Sequence, residues 1–238
     1  MTNIHHPDPV KRLAAARAAP QPQAVPDTWP AFWTGVSNPW LMFLGPSPGN
    51  SPGKAQAAGG LRAPTLGAPH PHVEGYIDSN GFWERIREWS HRSFALAGVF
   101  DAPTDSLSSV LVGNILATSA GDSRKLDASE LRGGIPPAAK IIRWLQPRLV
   151  VTMDKRISKP LVEALVAEGM TISESHRLEV PAKNQTYAFY RPHLWDLHDT
   201  GFSIRVLEAP QHPTKRNFYD SSVMDHFLAG HIKFLAAS

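Results

Sequence analysis

Trp40-Leu-Met-Phe-Leu44 is a short unbroken apolar run, the pattern of a strand buried on both faces. It runs into Gly45-Pro-Ser-Pro-Gly49, and a stretch rich in Gly, Pro and Ala follows over roughly 50–72. From about Asn80 to Ala97 the apolar period becomes helical. Phe82, Ile86 and Trp89 share a face, and Asp78 or Ser79 stands where a cap belongs. Ser109-Val-Leu-Val-Gly113 reads as the next strand and ends at Asn114. Pro136 and Pro137 suit the first turn of a second helix, with Ala138, Ile141, Ile142 and Leu145 as its stripe. Arg148-Leu-Val-Val-Thr152 is a third strand. Ser158 is the expected cap of a helix that buries Leu161, Val162 and Leu165 and stops at Gly169. Thr171 to Glu174 and Tyr187 to Tyr190 are candidate short strands, and Phe202 to Leu207 is the last one. A terminal helix starting at Ser221 or Ser222 places Met224, Phe227, Leu228 and Leu235 inside.

Strands that alternate with helices imply an α/β fold. The expectation is a three-layer α/β/α sandwich around a central, mostly parallel sheet of four or five strands. Ligands in such sheets bind outside the carboxyl ends of the strands. That directs attention to three loops: 45–49, 114–121 and 211–217. Residues 1–30 read as an extension, with a short helix at 11–19 and a proline-rich stretch at 20–30 that ends it. Residues 31–238 read as one domain.

The 238 residues carry a formal net charge of +3, a pI near 9.3 and no cysteine. The missing cysteines exclude disulfides, thiol nucleophiles and iron–sulfur clusters. The mild basic bias permits an anionic partner where Lys and Arg gather. No apolar run reaches the roughly 18 residues of a membrane span, and the first ten residues do not read as a secretory signal. A cytoplasmic monomer without a cofactor is the expectation. Of the eleven His residues, His70 and His72 are the closest pair in the core. Spacing offers them no third ligand, so no metal is expected.

Leu44-Gly-Pro-Ser-Pro-Gly49 is not a phosphate loop. Pro48 stands five residues before Gly53-Lys54, where a glycine is needed, and Ala55 replaces the Ser or Thr. The series of segments along the chain instead resembles the uracil-DNA glycosylase superfamily. Gly45-x-Ser47-Pro48 after an apolar strand is similar to that superfamily's Gly-x-Asn/Asp-Pro. Ser79-Asn-Gly-Phe-Trp83 resembles the Gly-Asn-Arg-Phe-Trp of its mismatch-specific uracil/thymine branch. Leu111-Val-Gly-Asn114-Ile-Leu-Ala-Thr118 resembles the Leu-Leu-Leu-Asn-x-x-Leu-Thr of the uracil-specific branch. Glu130-Leu-Arg-Gly-Gly134, Lys140-Ile141 and Gln146-Pro147 resemble the mismatch branch's helix and following strand. Gln211-His212-Pro213-Thr214 is similar to His-Pro-Ser. The likeness covers about 39–235. Ser47 replaces the Asn or Asp that positions water, and Asp154-Lys155 replaces Gly-Lys.

The resemblance implies a DNA glycosylase that flips a base out of the helix and hydrolyses its N-glycosidic bond, leaving an abasic site. The substrate would be uracil or a mismatched or modified pyrimidine. The implied catalytic residues are Ser47 for water, Asp78 for charge at the sugar and His212 for the departing base. Base contacts fall to Gly45, Pro46, Tyr76, Phe82 and Asn114, whose carboxamide offers a donor and an acceptor. DNA contacts fall to Lys54, Lys155, Arg156, Thr214, Lys215, Arg216 and Asn217. Each also has a plain reading: Tyr76 and Phe82 as core, Asp78 and Asn114 as caps, His212 as a surface group, the charged loops as solvated faces. Two alternatives stand beside the first. One is a glycosylase for a bulky hypermodified pyrimidine, such as glucosylated hydroxymethylcytosine in phage DNA, acting in anti-phage defence. The other is a catalytically silent DNA-binding module on the same fold, motivated by Ser47.

Overall fold

The structure, a computed structural model of the chain, describes residues 34–35, 39–47, 82–99, 109–116, 126–181, 189–209 and 221–237. The extension 1–30 and its short helix lie outside these residues. The described strands are β1 (Thr34–Gly35), β2 (Leu41–Gly45), β3 (Val110–Asn114), β4 (Leu149–Thr152), β5 (Thr171–Arg177), β6 (Val180–Pro181), β7 (Phe189–Tyr190), β8 (His193–Asp199) and β9 (Phe202–Glu208). The helices are α1 (Phe82–Ala97), α2 (Ala128–Leu145), α3 (Lys155–Ala167) and α4 (Ser221–Ala237).

A seven-stranded sheet runs β1-β3-β2-β4-β9-β8-β5. Its centre, β3-β2-β4-β9, is parallel throughout, while β1, β8 and β5 add antiparallel edges. Period-2 alternation sends neighbouring side chains of one strand to opposite layers. Leu41, Phe43, Val110, Val112, Leu149 and Val151 meet Ile86, Trp89 and Phe94 of α1 and Met224, Leu228, Ile232 and Leu235 of α4. Met42, Leu44, Leu111, Val150 and Val206 meet α2 and α3 through Leu131, Ile135, Ala138, Ile142, Ile157, Leu161 and Leu165. Two helices therefore cover each face. This is the α/β/α sandwich that the strand–helix alternation implies.

The sheet is wider than four or five strands. β1 lies ahead of the first strand read from the sequence, and β8 forms a hairpin with β9 through Thr200 and Gly201. Gly201 takes φ +99°, which a side chain would strain. β6 and β7 make a separate two-stranded ribbon. α2 begins at Ala128, well before Pro136. Asp127 and Glu130 form a capping box there, with Asp127 accepting from Ser129 N and Glu130 accepting from Asp127 N. The Ser129 hydroxyl and amide hold the Asp127 carboxyl below its usual pKa. Pro136 and Pro137 sit inside the helix. The carbonyls of Arg132 and Gly133, four residues earlier on an exposed stretch, lose their helical donors. α3 is capped by Asp154, not Ser158, whose hydroxyl instead bonds Thr152 Oγ1 at 2.7 Å. Its end at Gly169, φ +100°, is where the sequence places it.

Candidate functional site

The chain leaves β2 for β3 on one side, then returns over β2 to β4 on the other. The carboxyl ends of β2 and β4 therefore flank a topological switch point, the place where an open α/β sheet leaves a crevice. Beyond the strands the ladder continues. Ile115 N donates to Gly45 O at 2.9 Å, Leu116 N to Pro46 O at 3.1 Å, Met153 N to Leu44 O at 2.8 Å and Ala209 N to Thr152 O at 2.8 Å. These bonds fix the ends of all four parallel strands against one another.

Gly45 stands at the centre. A Cβ on it would lie 2.6 Å from Asn114 Oδ1 and 3.3 Å from Met153 Cε. Only a residue without a side chain lets the Asn114 carboxamide and the Met153 thioether close over this backbone. Asn114 and Met153 are both buried. Ser47, two residues further, is 7% exposed, and its Oγ is a buried hydroxyl without a hydrogen-bond partner among the described residues. Such an orphan costs about 1–3 kcal/mol and is rare enough in native structures to need a reason.

The opposite wall is α2. A Cβ on Gly134 would meet Ile115 O at 2.5 Å and Ile115 Cγ2 at 2.7 Å, so the helix rests directly on the backbone that follows Asn114. On the β4 side, Asp154 caps α3 through Arg156 N at 2.9 Å. Its carboxylate also takes the Arg156 guanidinium, with Nε–Oδ1 at 3.1 Å and Nη2–Oδ2 at 2.7 Å. The N-terminus of α3 thus holds its own carboxylate in the place an anionic ligand would seek. Beneath it, Thr152 Oγ1, Ser158 Oγ, the Leu207 carbonyl and the Asp154 carbonyl form a buried hydroxyl relay.

Of the residues singled out by sequence, the fold brings Gly45, Pro46, Ser47 and Asn114 together at the switch point. Lys155 and Arg156 flank it on α3. Lys155 is exposed, whereas Arg156 is engaged with Asp154 and with Leu126 O at 3.4 Å. Phe82 opens α1, and only its backbone is described. Lys54, Tyr76, Asp78, His212, Thr214, Lys215, Arg216 and Asn217 lie outside the described residues. Sequence reasoning missed Met153 and Gly134 as parts of the site. Gly134 stood in a quoted segment without a role, and only the close approach of α2 gives it one. Asp154 carried a readable signal as a cap residue directly ahead of a helix.

A second polar cluster lies two strands away. His193 on β8 stacks on Trp195 with ring centroids 4.1 Å apart, and its Nε2 is 3.0 Å from Ser175 Oγ. Burial, and then the charge of Arg177, hold its pKa below the usual histidine value. Among the described residues no group of three or more His, Cys, Asp or Glu is placed to hold a metal ion, and no helix is long and apolar enough to cross a membrane. Compared with known proteins, the chain matches no family model and none of the curated proteins.

Proposed function

We propose that the chain is a DNA glycosylase that receives a flipped base at the β2–β4 crevice and hydrolyses its bond to the sugar. The observation that carries the reading is the character of the crevice floor. Around Gly45 it is built from a carboxamide (Asn114), a buried hydroxyl without a partner among the described residues (Ser47) and a thioether (Met153). On its rim Asp154 and Arg156 neutralise each other, and the remaining charge of that turn, Lys155, is exposed to solvent. A neutral, flat ligand with donors and acceptors along one edge fits such a floor. A phosphate does not, because it would meet Asp154.

In the reaction the C1′–N bond breaks with its electron pair going to the base, and water oxygen bonds to C1′. The proton that water sheds ends on the departing base. Asn114 holds the base edge, and Ser47 orients the water. In this reading His212 stabilises the negative charge on the base and Asp78 the positive charge on the sugar. The experiment is incubation of the purified protein with DNAs carrying uracil, mismatched thymine and modified cytosines, phage DNA included, followed by alkali to cut abasic sites. Cleavage that Asn114→Ala and His212→Ala abolish supports the reading, and no cleavage of any DNA ends it.

One observation favours a silent DNA-binding module instead. Ser47 brings no carboxylate to the water position, and the one described carboxylate on the rim is spent on Arg156. Tight, salt-sensitive binding without abasic product would establish that alternative, and a single turnover on any base would eliminate it.

A further inference from the structure

We infer that Arg156 is a positioning residue, a strap that holds the start of α2 in register with the β4–α3 turn, and not a contact to DNA phosphate. Its guanidinium forks onto both Asp154 oxygens, and its Nη1 reaches across to the carbonyl of Leu126 at 3.4 Å. Leu126 immediately precedes the Asp127 cap of α2, at the far end of the loop that leaves β3 at Asn114. One side chain therefore joins two of the loops that border the crevice.

The near end of that loop is held by Ile115 and Leu116, through their bonds to Gly45 and Pro46 and through the Gly134 contact. Among the hydrogen bonds of the described residues, the far end depends on the capping box within α2 and on Arg156. A helix end held by few hydrogen bonds opens locally at a fraction of the global free energy. Releasing Leu126 loosens the start of α2, the helix that rests through Gly134 on the backbone after Asn114. The fork geometry explains why arginine stands here. A lysine ammonium can meet Asp154, but it cannot present two parallel donors to the carboxylate and a third to Leu126. The backbone bond from Arg156 N to Asp154 does not involve the side chain, so truncation leaves the cap of α3 in place.

The neighbouring residue supplies the contrast. Lys155 is exposed and its side chain takes part in no hydrogen bond or ion pair among the described residues, so it is the cation of this turn that is open to a phosphate. The catalytic consequence of the strap rests on the glycosylase reading. Its structural consequence does not.

The test compares full-length wild type with Arg156→Ala, Arg156→Lys and Lys155→Ala by three measurements: amide hydrogen exchange, the salt dependence of duplex binding, and kcat against KM. For Arg156→Ala, exchange should quicken by about tenfold or more at the first-turn amides of α2 and stay unchanged in α4. Its kcat should fall by up to about a hundredfold, the scale of a one-ångström misplacement. KM for DNA and the salt slope should hold. Arg156→Lys should fall between the two, and Lys155→Ala should lower the salt slope by about 0.9, one phosphate contact. A slope lowered by the same amount in Arg156→Ala, with exchange unchanged, would make Arg156 a phosphate ligand and overturn the proposal. Exchange quickened evenly through every helix would overturn it too. If wild type cuts no DNA, the glycosylase reading falls, and the exchange pattern alone still decides the strap.

Discussion

Gly133 and Gly134 are adjacent in α2, yet adding one methyl group should move stability in opposite directions. Gly133 is exposed, and a Cβ there meets nothing within 4 Å. Alanine at that position gains helix propensity and loses unfolded-state freedom, worth about 0.5–1 kcal/mol. Gly134 would gain the same propensity. Its Cβ, however, would sit 2.5 Å from Ile115 O, 2.7 Å from Ile115 Cγ2 and 3.1 Å from Leu116 Cδ2. Relaxed contacts between carbon atoms lie at about 3.5–4.0 Å, so the helix must withdraw by roughly 1 Å. The obstructing oxygen is backbone, and the N–H of its own peptide, Leu116 N, is bonded to Pro46 O, so it cannot rotate away. Overpacking of this kind costs about 1–3 kcal/mol. Because propensity is common to both variants, the difference between Gly133→Ala and Gly134→Ala isolates the clash. Urea denaturation should place them about 1–3 kcal/mol apart, with Gly133→Ala above wild type. In a chain of this length that separates their Tm values by about 2–9 °C. Gly134→Ala should also lose more DNA cleavage than its stability accounts for, since the displaced segment begins at Asn114. Equal stability of the two variants would refute the close approach of α2 and the account of the site's wall with it.

Two further predictions follow from buried polar groups. Ser47→Ala removes the orphan hydroxyl, so the variant should be more stable by about 1 kcal/mol in denaturant while losing cleavage. A fall in stability would mean that Ser47 already has a partner in the free protein. His231 on α4 accepts from Arg205 Nη1 at 3.2 Å, and Arg205 is itself forked onto Asp196 beneath the Phe234 ring. Burial, then the Arg205 charge, depress the His231 pKa to about 4. The unfolded chain takes up this proton near pH 6.5 and the native one does not. Stability is therefore full above pH 6.5, falls by on the order of 3 kcal/mol as pH drops to about 4, and levels off below. Asp225, raised by burial, acts in the opposite sense, so the measurement is the difference between wild type and His231→Asn, which keeps an acceptor for Arg205. Parallel pH profiles for the two proteins would show that His231 titrates freely in the fold.

The parallel centre of the sheet was legible because each of its strands is buried on both faces. Leu41–Leu44, Val110–Val112 and Leu149–Val151 are therefore continuous apolar runs, Ile204–Leu207 is interrupted only by the buried Arg205, and a helical period intervenes between them. The edges were less legible. In β8, Leu194, Trp195 and Leu197 are buried but separated by Asp196, whose charge is absorbed by Arg205 from the next strand. A pairing between strands leaves no mark on either strand alone. The Thr200-Gly201 turn was the one local sign of that hairpin. At α2 the two prolines read as a helix start because the rule weighs the missing N–H. The capping box at Asp127 and Glu130 was the stronger signal.

The site divided along the same physical line. Gly45, Ser47 and Asn114 could be grouped from sequence because they sit at strand ends, where the chain must change conformation and where the topology brings the loops together. What sequence could not assign was the state of each polar group once folded. Arg156 is the sharpest instance. Its residue type, its loop and its neighbour Lys155 all pointed to phosphate, and nothing local to the chain tells the two cations apart. The distinction comes from Asp154 taking both the helix cap and the guanidinium, and from Leu126, thirty residues earlier, arriving within reach of Nη1. On the glycosylase reading, an exposed lysine beside a spent arginine divides the work of one turn between phosphate contact and strap, keeping positive charge away from the base and leaving it available for the backbone that would carry the base in.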